Sequence, residues 1–163
     1  MAVGDLNRDG KEDLVVGATR MLSTSLKFGT TNGFGKSDSL DDKHSLPVSA
    51  LALTDLDADG FTEILVGRNT FGRTQSSEKT LQLYKNNNGI QFSPQGSFFP
   101  GTMGSIGCLA VDADKSEAVT RIFAGSRIRK EEYPLSDTSK LLVLDKTGKF
   151  IRFESLPDYG LIG

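Results

Sequence analysis

Apolar and polar positions alternate along this chain in short runs, and no window sustains the i, i+3, i+4, i+7 spacing of an amphipathic helix. Leu14–Gly17, Ile64–Gly67 and Ile122–Gly125 are apolar runs ending on glycine, each preceded by an acidic stretch. A second run follows each of them: Ser25–Phe28, Leu81–Tyr84 and Leu141–Leu144. These lead to Asn32-Gly33, Asn88-Gly89 and Thr147-Gly148, with Phe34, Phe92 and Phe150 just beyond. Asn-Gly between alternating runs predicts a hairpin, because a type I′ turn needs positive φ at both central residues. Each unit therefore predicts four short strands: one into the acidic loop, one out of it, then a hairpin. The polar stretches Arg68–Lys79 and Arg127–Ser139 are expected to be surface loops between the second and third strands.

The units are repeats. Ala2–Ala18, Ala52–Arg68 and a worn third copy, Leu109–Arg127, align, with Asp5 and Asp55 50 residues apart and Gly67 and Gly125 58 apart. Four-stranded units at this period are the sequence pattern of β-propeller blades. The expected fold is all-β: a partial β-propeller of about three four-stranded antiparallel blades. They divide the chain into 1–47 (first strand shortened), 48–104, a degenerate 105–158, and the start of another blade at 159–163. Propellers typically close with about 4–8 blades. The chain is accordingly expected to be a segment of a longer protein, whose remaining blades, signal peptide or anchor would lie outside it.

Composition narrows the function classes. Of 163 residues, 19 are Lys or Arg and 21 are Asp or Glu, a net charge of −2. A nucleic-acid partner held by phosphate neutralisation would need a basic surplus, and no apolar run is long enough to insert in a membrane. The single Cys108 excludes an internal disulfide and a multi-cysteine zinc site, and beside Leu109 it is expected to be a small buried apolar residue. The single His44, in Asp41-Asp42-Lys43-His44, reads as a solvated linker residue. No Gly-x-Ser-x-Gly elbow supports acyl-transfer catalysis. Glycine is abundant at 18 residues, and Asp outnumbers Glu 14 to 7. Both residues favour turns over helices.

The aspartates explain themselves in the acidic loops. The first is Asp5-Leu6-Asn7-Arg8-Asp9-Gly10-Lys11-Glu12-Asp13, and the second is Asp55-Leu56-Asp57-Ala58-Asp59-Gly60-Phe61-Thr62-Glu63. Oxygen-bearing side chains stand at positions 1, 3, 5 and 9, with glycine at 6. Ca²⁺ takes six to eight oxygens at about 2.3–2.6 Å, and alternate residues of a coiled loop can converge on one ion. The carbonyl at position 7, from Lys11 or Phe61, would add a ligand. An EF-hand shares the first half of this spacing but needs a bidentate Glu at position 12 and flanking helices. Here position 12 is Val16 or Val66, inside a strand-like run. In the third unit Asp112 and Asp114 align with positions 1 and 3, but Lys115-Ser116-Glu117 replaces Asp-Gly and Thr120 aligns with position 9. A third ion there is not expected.

The pattern Asp-x-Asn/Asp-x-Asp-Gly-x-x-Asp/Glu-Leu/Ile followed by Val-Gly resembles the FG-GAP/VCBS repeat, the calcium-loop blade of integrin-α-like, usually seven-bladed, propellers. Asp145–Phe150 and Leu156–Gly160 further resemble bacterial secreted VCBS proteins related to the ASPIC group. The resemblance implies calcium ligation by Asp5, Asn7, Asp9, Lys11 (carbonyl) and Asp13, and by Asp55, Asp57, Asp59, Phe61 (carbonyl) and Glu63. It also implies a non-enzymatic, calcium-binding module of a secreted, cell-surface or periplasmic protein, presenting a surface to a protein or polysaccharide ligand. The alternatives are part of a propeller-type polysaccharide-degrading enzyme such as a lyase, or a structural spacer.

Overall fold

The computed structural model describes residues 1–19, 22–40, 46–69, 80–95, 104–113, 119–126 and 139–156, without the side chains of residues 154 and 155. Among these, twelve strands form three antiparallel sheets, each of four strands in chain order. The first sheet holds β1 (Ala2–Gly4), β2 (Asp13–Val16), β3 (Ser25–Thr30) and β4 (Gly33–Ser39). The second holds β5 (Val48–Thr54), β6 (Glu63–Arg68), β7 (Leu81–Asn87) and β8 (Gln91–Pro94). The third holds β9 (Ile106–Asp112), β10 (Val119–Ser126), β11 (Lys140–Asp145) and β12 (Phe150–Ser155). No helix among the described residues is long and apolar enough to cross a membrane. The fold is all-β, with three propeller blades stacked face to face.

Side chains of a strand point alternately to its two faces, and the middle blade uses both. Ile64, Val66 and Tyr84 join Leu6, Val15 and Leu26 in the core between the first two blades. Leu65, Leu81 and Leu83 join Ile106, Ile122, Leu142 and Leu144 in the core between the second and third. All six residues of β6 are buried, and the use of both faces is why Ile64–Gly67 reads as an unbroken apolar run between Glu63 and Arg68. Full burial of one such Leu or Ile contributes about 1.5–3 kcal/mol.

The glycine that closes the apolar run in each of the first two blades makes this stacking possible. A Cβ at Gly17 would lie 2.8 Å from Val48 Cγ1, and one at Gly67 would lie 2.5 Å from Ile106 Cγ2. In each case the first residue of the next blade presses on bare backbone. Ser49 ties the same seam, its hydroxyl donating to the carbonyls of Gly67 and Ile106.

Four expectations need correction. The first hairpin does not centre on Asn32-Gly33: Thr30 pairs with Gly33, so the turn is Thr31-Asn32 and only Gly33 has positive φ, at 123°. A register shift between Lys27 and Gly29 moves the turn by one residue. At the second hairpin Asn88 and Gly89 both have positive φ, at 85° and 82°. Arg68 is no surface residue: it is 6% exposed, and its guanidinium donates to Leu46 O at 2.9 Å and to Tyr84 Oη at 3.1 Å. Hydrogen bonding is what makes that burial tolerable. Cys108 is exposed, because Leu109 and Val111 take the face of β9 toward the core and the thiol takes the other.

The fourth correction concerns the third acidic loop. Arg121 pairs with Asp112 across β9 and β10, where Glu63 pairs with Thr54 and Asp13 with Gly4 in the other blades. Asp112 therefore corresponds to Thr54, the residue before position 1, and Arg121 rather than Thr120 stands at position 9. In this register Asp112 and Gly125 are 13 residues apart, as are Thr54 and Gly67. Arg121 Nη1 lies 3.8 Å from Asp112 Oδ2 in an exposed ion pair. His44, Asp114 and the stretches 70–79 and 127–138 lie outside the described residues.

Candidate metal centre

The two complete loops each connect a first strand to a second, and they coil alike. Arg8 and Ala58 at position 4 have φ of 61° and 58°, and Gly10 and Gly60 at position 6 have φ of 81° and 91°. Such left-handed steps favour glycine, and two within three residues turn the loop back on itself. Leu6 and Leu56 at position 2 are buried at 0% and 3% exposure and anchor each loop in the core toward the following blade.

Backbone amides hold the acidic side chains in matching places. Gly10 N donates to Asp5 Oδ2 at 2.9 Å and Gly60 N to Asp55 Oδ2 at 3.2 Å. Asp9 N donates to Asn7 Oδ1 at 3.1 Å and to Asp5 Oδ1 at 3.2 Å, and Asp59 N donates to Asp57 Oδ1 at 3.4 Å. At position 5, Asp9 Oδ1 accepts from Lys11 N at 2.9 Å and Asp59 Oδ1 from Phe61 N at 2.8 Å. Asp9 and Asp59 are exposed. The Lys11 amide, followed by its ammonium at 3.3 Å, holds the Asp9 carboxyl below the usual carboxylate range.

Position 9 separates the loops. Asp13 is fully buried and uses both oxygens on amides, Leu6 N at 2.8 Å and Gly29 N at 2.7 Å. Glu63 accepts from Leu56 N at 2.7 Å through Oε2, but its Oε1 is buried without a hydrogen-bond partner. Carboxylate oxygens of Asp55, Asp57 and Glu63 lie within 4.8 Å of one another. Burial pushes the Glu63 pKa up to about 7, against the Leu56 amide and with the help of the Asp57 and Asp59 charges.

These residues fit a hard cation. Oxygens on opposite sides of one Ca²⁺ are about 5 Å apart, which is the spread of the Asp55, Asp57 and Glu63 group. A buried carboxylate oxygen with nothing to bond costs free energy, and a cation would remove that cost. In the first loop Asp5 and Asn7 are drawn together by the Asp9 amide, and each Asp13 oxygen keeps a lone pair beyond the amide it accepts.

Several supporting residues left no signal in sequence spacing. The buried Asn86 carboxamide donates to Leu6 O at 2.9 Å and Thr62 O at 3.1 Å, joining the two loops, and accepts from Gly89 N at 2.7 Å. Arg8 of the first loop lies over the Phe61 ring of the second, 5.3 Å from its centroid. The loops therefore share one rim. Lys85 of β7 donates its ammonium to Asp57 Oδ2, and that hydrogen bond raises the lysine pKa. Only Asn86 could have been suspected, from the run Asn86-Asn87-Asn88, which otherwise reads as a turn.

Comparison with known proteins agrees with this geometry. Residues 1–33, spanning β1 to the start of β4 and the whole first loop, match the family model of the FG-GAP repeat. No curated protein is matched by the chain. The same loop, strand and Val-Gly seam recur in the second blade, so the match over residues 1–33 is consistent with an FG-GAP repeat protein.

Proposed function

We propose that the chain is a calcium-stabilised, non-enzymatic propeller module of a secreted, cell-surface or periplasmic protein, presenting a surface to a protein or polysaccharide ligand. The observation that carries the metal reading is Glu63, a nearly fully buried carboxylate with one oxygen unpartnered beside Asp55 and Asp57. Calcium, when bound, supplies positive charge where these carboxylates repel one another. The chain's own contribution is placement: Gly10 and Gly60 coil the loops, amides aim the oxygens, and Leu6 and Leu56 tie the loops to the cores. The compartment follows from the chemistry, since extracellular modules bind calcium at roughly 10⁻⁴–10⁻³ M, a range that cytosol leaves unfilled.

Thermal melting tests this reading. Millimolar CaCl₂ should raise Tm over EDTA by roughly 5 °C or more, through mass action on the folded state. An unchanged Tm would remove the metal, and activity on polyuronides would assign the chain to an enzyme instead.

A further inference from the structure

The two loops differ at position 3 and at the matching position of the third strand. Position 3 is Asn7 in the first loop and Asp57 in the second. Leu14 pairs with Lys27 and Ile64 with Tyr84, so the next residues, Phe28 and Lys85, occupy the same place in their blades. Phe28 packs against the core between the first two blades. The Lys85 ammonium sits on Asp57 Oδ2, with the Asp57 side chain only 15% exposed. Asp57 Oδ1 accepts the Asp59 amide just as Asn7 Oδ1 accepts the Asp9 amide. The ammonium thus covers the oxygen that stands where asparagine carries its neutral NH₂.

The charges balance accordingly. At positions 1, 3, 5 and 9 the first loop offers three carboxylates, Asp5, Asp9 and Asp13, and the second offers four, Asp55, Asp57, Asp59 and Glu63, while Glu12 of the first loop is exposed to water. Three of those four crowd within 4.8 Å. Lys11 is no counterpart in the first loop, because it belongs to the loop itself and its pair with Asp9 is open to water, at 42% and 35% exposure. Lys85 also has somewhere to go: Asp57, Glu63, Lys85, Gln95 and Thr147 line a cleft of about 260 Å³ between the second loop and the β11–β12 turn.

Building on the calcium reading, we propose that Lys85 is a resident counter-cation of the second loop. It neutralises Asp57, so that the second blade folds without metal, and it holds calcium affinity below what four carboxylates would give. The Asn7/Phe28 and Asp57/Lys85 pairs are then two electrostatically equivalent solutions to one loop.

Calorimetric titration of the 163-residue chain with CaCl₂, alongside melting in EDTA, tests this. Lys85→Met should tighten one of two sites by about tenfold, the scale for removing a unit charge a few ångström from a divalent ion, and leave the other unchanged. The same variant should melt lower in EDTA. The double variant Asp57→Asn/Lys85→Met should restore both the wild-type affinity and the wild-type Tm in EDTA. Unchanged or weaker calcium binding by Lys85→Met overturns the proposal, as does failure of the double variant to recover stability. Should Lys85→Met not fold in EDTA, recovery by the double variant supports the proposal and its absence overturns it. A wild-type chain that takes up no calcium overturns the metal reading and this proposal together, whereas calcium uptake indifferent to Lys85 overturns this proposal alone.

Discussion

Position 9 shows how one methylene changes what a carboxylate does. Asp13 reaches two amides, Leu6 N and Gly29 N, and so staples the first loop to β3 with or without an ion. Asp13→Ala should cost about 2–4 kcal/mol, two buried amides losing their acceptor, and urea unfolding in EDTA should register it. Glu63 accepts a hydrogen bond from Leu56 N and feels the Asn86 amide, but its Oε1 is left without a hydrogen bond. Its pKa rises from 4.5 to about 7 on folding, so over that interval the metal-free folded protein keeps a proton the unfolded chain has released. This contribution is complete below about pH 4.5 and is lost as pH rises through about 7. Wild type minus Glu63→Gln, measured by urea unfolding in EDTA, should therefore decline across that window. A flat difference would contradict the burial of Glu63 as a protonated acid.

At the scale of strands and loops, much was legible because each feature has a local cause. The four-strand units follow from alternation and turn residues, and the loop coil from glycine at position 6. The Val-Gly ending follows from the seam between blades, where Gly67 faces Ile106. Gly67→Val should lower Tm, with an overpacking cost of about 1–3 kcal/mol; a neutral outcome would mean that the blades are not pressed together there. The rest was hidden for equally physical reasons. Lys85, Asn86 and Arg68 act across strands and blades, and nothing in their neighbours' spacing announces a partner 16 to 80 residues away. The third loop was misaligned by its acids, because Asp112 looks like a ligand but occupies a strand position against Arg121. Cys108 has an apolar neighbour in sequence and faces away from it in space.

For the whole molecule, the middle blade belongs to both cores, and the loops of the first two blades meet on one rim through Asn86 and the Arg8–Phe61 stack. The net charge of −2 looks nearly neutral, yet eight of the 21 acids lie in these two loops, all but Glu12 at ligand positions. Two calcium ions would reverse its sign. The central claim is that the two loops are separate calcium sites built from the same parts, and bound-calcium stoichiometry after equilibrium dialysis measures it most directly. Two ions per chain are expected, falling to one in Asp5→Ala, to one in Asp57→Ala and to none in the double variant. Fewer than two ions in the wild type, or variants that keep both, would contradict it.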